Sequence, residues 1–137
     1  ELAATARRLG ERRAPGTPAE RAAALGRVHG VLLREERTEA LATHLAEKTG
    51  FAEGLLRDHL RGLFGTMDAA ALAGWLRRLN PEGEGPYPGP PPAPALLVAS
   101  GNIPGAALPS LVQLLLLGCP TVVRVSRGEP WLTEAYG

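Results

Sequence analysis

The residues with the most chemistry to offer lie together: Ser100, Gly101, Asn102, Ile103, Pro104 and Gly105. Two glycines let a backbone approach a ligand closely. Asn102 brings a neutral side-chain donor, the kind of group that stabilises a developing oxyanion. The segment lies between two apolar runs, so it is expected to join a strand end to a helix start. Open α/β sheets bind ligands at that place. The unpaired N–H groups of a helix N-terminus also favour anions there. The same six residues equally suit an ordinary tight turn with a structural asparagine. They are not the Gly-x-Gly-x-x-Gly dinucleotide fingerprint.

Other candidates carry less. Cys119 is the single cysteine, and no His, Lys or Arg lies within four residues of it. Nothing nearby would lower its pKa, so it reads as a buried structural thiol. His29, His44 and His59 are fifteen residues apart, each in a helical pattern. None has a Cys or second His at i+3 or i+4, so metal-ligand spacing is absent. Asp58 adjoins His59 but falls on another side of a helix, and a Ser-His-Asp site is not supported. Phe51, Phe64 and Trp75 read as core anchors. The doublets Arg7-Arg8, Arg12-Arg13 and Arg77-Arg78 have acids interspersed and read as solvated helix faces.

These groups must be positioned by a small chain. Its 137 residues suit one domain, and 45% hydrophobic with 21% charged residues is an ordinary globular composition. That excludes a disordered acidic tail and a collagen-like fibre. A net charge of +1 gives no electrostatic case for a nucleic-acid or membrane partner. One cysteine excludes an internal disulfide framework. The strongest apolar stretch, 111–123, is too short and too broken to span a bilayer. No basic-then-apolar leader opens these residues, and a reducing cytoplasm is the expected location.

Charge divides the chain in two. Residues 1–80 hold 13 Lys/Arg and 10 Asp/Glu, whereas residues 81–137 hold 2 and 4. From Gly85 to Val123 there is no charged residue and no histidine. The first part therefore reads as surface helices and the second as a buried layer. Thr17-Pro18-Ala19-Glu20 is a capping box with proline at the first helical position. Leu25, Val28 and Leu32 follow on one face. A second helix over 35–49 turns Leu41 and Leu45 inward, and Gly50 stops it. A third, over 51–64, carries a stripe of Leu55, Leu56, Leu60, Leu63 and Phe64, ended by Gly65-Thr66. Asp68 caps a fourth, whose apolar face is Leu72, Trp75, Leu76 and Leu79. Asn80-Pro81 ends it.

Residues 81–94 contain seven prolines and three glycines and read as a linker. Then the period changes. Residues 95–100 form a short apolar run, expected as a buried strand. An apolar helix is expected over about 104–117, despite Pro109, with Gly118 as its stop. Residues 121–126, rich in β-branched side chains, predict a second strand. Together these make a parallel β–α–β crossover, right-handed by rule. A further helix is expected to start near Glu129-Pro130. Two parallel strands cannot bury both their faces, and the chain opens at Glu1 rather than methionine. Both features are expected of a segment of a longer protein.

The stretch LLVASGNIPGAALPSLVQLLLLGCPTVVRVSRGEP resembles the start of the cofactor domain in the aldehyde dehydrogenase superfamily. It looks most like the acyl-CoA reductase (LuxC-like) branch, with its Gly-Asn-hydrophobic-Pro-Gly turn, apolar helix, Thr-Val-Val strand and Lys/Arg-x-Ser segment. The match covers about 35 of 137 residues, and the helices before it are compatible with that family's N-terminal region. The resemblance implies an α/β fold: a helical segment at 1–80, then from 95–137 the first β–α–β unit of a Rossmann-type cofactor domain, incomplete here.

It also implies roles. Asn102 matches the asparagine whose amide stabilises the oxyanion of a thiohemiacetal. Ser100, Gly101, Ile103 and Pro104 would line the nicotinamide side of the cleft. Arg124 stands where the superfamily commonly has a lysine that contacts the adenosine ribose, and Ser126 and Arg127 follow in the same loop. A glutamate often replaces Arg127 in NAD-preferring members. An arginine there suits a 2′-phosphate, so NADPH is expected, with NADH as the alternative. The family's catalytic cysteine and general base lie far downstream and have no match in these residues. The implied parent enzyme reduces an acyl-CoA or related acyl thioester to an aldehyde, and this segment alone would be inactive. Oxidative aldehyde dehydrogenase activity, or a non-catalytic helical interaction module, are the alternatives. No nucleic-acid partner or membrane span is expected, and self-association into a homo-oligomer stays open.

Overall fold

A computed structural model describes residues 8, 16–79, 93–99, 101 and 103–125. Within them the chain forms α1 (Pro18–Leu32), α2 (Glu35–Thr49), α3 (Glu53–Gly65), α4 (Ala69–Leu79), β1 (Ala95–Val98), α5 (Leu108–Leu116) and β2 (Thr121–Arg124). This is a mixed α/β arrangement, mostly helical, with one two-stranded parallel sheet. The expected linker over 81–94, except its last two residues, and the expected helix near Glu129-Pro130 lie outside the described residues, as does the Asn80-Pro81 stop.

The helix boundaries follow from local chemistry. At α1, the Thr17 hydroxyl accepts from Glu20 N–H at 3.2 Å, while the Glu20 carboxylate accepts from Thr17 N–H at 2.7 Å. That reciprocal box satisfies two donors that the helix start leaves orphaned. The Thr17 N–H, and after it the Thr17 side chain, hold the Glu20 carboxyl below its ordinary pKa. At the far end, buried Thr38 on α2 donates its hydroxyl to Leu32 C=O at 2.9 Å, closing the α1–α2 corner. Gly50, at φ +75°, ends α2 in the left-handed cap. The Asp68 carboxylate accepts from Ala71 N–H at 2.8 Å and starts α4.

Residues from both parts of the chain share one core. Leu41, Leu45, Leu60, Phe64, Met67 and Leu72 are all buried, and Leu108, Val112 and Leu116 of α5 join the same cluster. Helices α1 and α4 approach closely at Gly26, where a Cβ would sit 3.0 Å from the Ala69 Cβ. On the outside, Arg57 and Arg61 of α3 pair with Glu39 and Glu35 of α2. Arg61 and Glu35 are exposed and Arg57 and Glu39 half-buried, all near solvent that weakens such pairs, so the core beneath them holds the helices together.

Among the helices three sequence expectations change. Phe51 does not anchor the core: it precedes Ala52, the N-cap of α3, and is 41% exposed. Leu55 likewise faces outward at 61%, because the stripe that does bury is Leu56, Leu60 and Phe64 at i, i+4 and i+8. The apolar helix starts at Leu108 rather than near Pro104, so Pro109 lies in its first turn, where a missing N–H costs nothing.

β1 and β2 pair in parallel, with Ala95 opposite Thr121 and Val98 opposite Arg124. Flanking bonds run from Ala95 N–H to Pro120 C=O and from Ala99 N–H to Arg124 C=O, both 2.9 Å. The strand over 95–98 is not buried on both faces. Leu97 and Val123 pack against the core beneath α5, while Leu96 and Val98 each stay 59% exposed. Successive side chains alternate between faces, and α5 covers one face only. Cys119 is buried, as expected, and its thiol donates to Ala93 C=O at 3.0 Å.

Candidate functional site

The parallel pairing sends the C-terminal ends of β1 and β2 to one edge of the sheet. Gly101 follows β1 there and Arg124 ends β2, directly across from Val98. Both are exposed, as is Ile103 at 50%. Of the residues that sequence assigns to the site, Gly101, Ile103 and Arg124 therefore present surface near this edge. Pro104 is buried and contributes through its backbone. Ser100, Asn102, Ser126 and Arg127 lie outside the described residues.

The turn into α5 is built tightly. Ala106 N–H donates to Ile103 C=O at 3.2 Å, with proline and then Gly105 at φ +73° between them. This is the type II pattern, in which the third residue needs a positive φ and glycine supplies it without strain. Leu108 N–H then donates to Gly105 C=O at 2.9 Å. The start of α5 offers an anion less than a standard helix start, since the Leu108 amide is engaged and Pro109 has none.

Two helices of the first half reach this unit. His59, on α3, donates Nε2–H to Pro104 C=O at 2.8 Å. Arg21, on α1, donates to Leu116 C=O at 3.1 Å and to Gly16 C=O at 2.6 Å. Its guanidinium thus serves the Leu116 carbonyl in the last turn of α5, where a cation also meets the negative end of the helix dipole. Gly118, at φ +71°, leaves the room: a Cβ there would be 3.0 Å from the guanidinium. Burial holds the Arg21 pKa below its ordinary value. Sequence reasoning missed both His59 and Arg21. Partners 45 and 95 residues away leave no local trace.

A cofactor fit can be judged from these groups. Exposed Arg124 supplies positive charge at the strand edge, and Gly101 and Ile103 supply a small and an apolar surface beside the turn. These residue types suit a ribose-phosphate and a nicotinamide ring. Cys119 does not suit a nucleophile, being buried and bonded to Ala93 C=O. Among the described residues no group of three or more His, Cys, Asp or Glu could hold a metal ion. No helix among them is long and apolar enough to cross a membrane. Comparison with family models, with curated proteins and with solved structures gives no match.

Proposed function

We propose that these residues begin the cofactor domain of an NADPH-dependent reductase. It would convert an acyl-CoA, or a related acyl thioester, to the aldehyde through a cysteine acyl-enzyme. The nucleophile lies outside these 137 residues, since Cys119 is unsuited. The supporting observation is the parallel β1–α5–β2 unit, whose glycine-bearing turn and Arg124 meet one sheet edge. Open α/β sheets bind ligands at such an edge.

In balance, acyl-CoA, NADPH and a proton give aldehyde, free CoA and NADP+. Bound NADPH supplies the hydride. Asn102 donates its amide to the acyl oxygen as negative charge develops there. Gly101 and Ile103 shape the nicotinamide side, with Ser100 beside them, and Pro104 fixes the turn from beneath. Arg124, Ser126 and Arg127 take the ribose end. A guanidinium at 127 favours a 2′-phosphate over the free hydroxyls of NADH.

The test begins with the coding DNA beyond Gly137. A frame that continues and supplies a cysteine should encode an enzyme that oxidises NADPH with acyl-CoA and releases free CoA. In that enzyme Asn102→Ala should lower turnover by ~10²–10³-fold, about 3 kcal/mol of barrier, with little change in NADPH affinity. Near-normal turnover removes the oxyanion role. A stop codon immediately after Gly137 overturns the reductase reading. Aldehyde oxidation with no dependence on CoA makes the parent an aldehyde dehydrogenase instead.

A further inference from the structure

We propose that His59 is a positioning residue: it fixes which way the Pro104–Gly105 peptide faces, and so which side of the βα turn carries the Gly105 amide. The consequence for NADPH rests on the cofactor reading above. The positioning itself rests on geometry alone.

Ile103, Pro104, Gly105 and Ala106 make a type II turn, closed by Ala106 N–H donating to Ile103 C=O. Type I and type II turns share their end residues. They differ by a flip of the central peptide, here the one joining Pro104 to Gly105. The turn's own hydrogen bond does not use the Pro104 carbonyl. Pro104 is buried, so that carbonyl needs a donor from elsewhere. His59 provides it from α3 at 2.8 Å, across 45 residues of sequence. A carbonyl only accepts, so Nε2 carries the proton.

The peptide is planar and trans, so its N–H points opposite to its C=O. With Pro104 C=O on His59, the Gly105 N–H faces away from α3. A flip to type I would take the carbonyl off His59 and turn that amide toward α3. The positive φ of Gly105 and the His59 bond both select the same flip. The helical half thereby sets the donor face of a turn that it does not itself contain.

The test uses the 137-residue chain and NADPH as probe. ¹⁵N NMR of the wild-type imidazole should show the Nε2–H tautomer at His59. The Nδ1–H tautomer overturns the proposal, and this measurement needs no variant. His59→Leu should shift the Gly105 and Ala106 amide resonances and speed their hydrogen exchange. His59→Gln, which keeps an N–H donor, should restore them. Unchanged amides in His59→Leu overturn the proposal, as does a shift that His59→Gln fails to reverse. For NADPH, loss of one net hydrogen bond corresponds to about fivefold weaker binding in His59→Leu, recovered in His59→Gln. Correct tautomer and amide responses support the positioning, and NADPH binding that is absent from the full-length protein as well overturns the cofactor reading.

Discussion

The helical half and the β1–α5–β2 unit bury their apolar surface by different means. Each of α1 to α4 turns one stripe into a common core, and several side chains there have no exposure at all, Leu60, Phe64 and Leu72 among them. The β–α–β unit has one helix and two strands of four residues. That helix covers one face of the sheet, and Leu96 and Val98 stay exposed on the other. Order at the candidate site therefore comes from outside the β–α–β unit. The strands bring Gly101 and Arg124 to one edge, but groups from the helical half hold the unit. His59 bonds the turn at the start of α5, and Arg21 bonds the Leu116 carbonyl at its end.

The strongest way to break this comparison is to open the shared core. Phe64→Ala removes a fully buried ring and should cost about 3–5 kcal/mol, measured by urea unfolding. Leu116→Ala, on α5, should cost about 2–5 kcal/mol. Because both side chains belong to one cluster, hydrogen exchange should find α3 and α5 opening together in each variant. If α5 amides lose protection while α3 keeps its own, the two regions are separate cooperative units.

A smaller effect sharpens the same contrast through pH. His29 is fully buried in the helical half, its Nδ1–H donating to Met67 C=O and its ring beside Phe64. Burial lowers its pKa, and the Met67 bond opposes that only in part. The folded ring therefore stays neutral where the unfolded ring takes up a proton, near the ordinary histidine value of about 6.5. The unfolded state then binds more protons, so stability rises with pH. The His29 contribution is complete above that value and is lost as pH falls below it, until the native ring's own lowered pKa is reached. The slope of unfolding free energy should be up to about 1.4 kcal/mol per pH unit greater than in His29→Gln. Equal slopes in the two proteins would show that the ring charges freely in the fold.

Legibility in the sequence tracks the distance between partners. The capping box at Thr17, the Asp68 cap and the Gly50 stop were readable because each is settled within four residues. So were the short apolar run of β1 and the β-branched run of β2, read from their own residue types. The 103–106 turn was partly readable, since Pro-Gly in its middle specifies type II chemistry. Its need for a donor on Pro104 C=O was implicit, but nothing near Pro104 names His59. The same holds for Arg21 with Leu116 and for His29 with Met67, partners far apart in the chain. Composition misled on one point. The uncharged run from Gly85 to Val123 suggested a wholly buried strand, yet freedom from charge does not say how many faces are covered.

The smallest effect separates those faces. Leu96 and Leu97 are neighbours of the same type in the same strand, so strand propensity is equal for both. Leu97 packs on the core and Leu96 is 59% exposed. Threonine, a β-branched strand former, suits the strand at either position. Leu97→Thr loses apolar contact and sets a hydroxyl against the core, so a cost of about 1–3 kcal/mol is expected. Leu96→Thr should stay within about 0.5 kcal/mol, as for other surface changes. Urea midpoints with unchanged m-values measure both. A cost at Leu96 that matches Leu97 would mean the outer face is covered in solution. Arg124 and the 101–105 turn would then border a closed layer rather than an open edge, and the cofactor reading would need a different approach to the sheet.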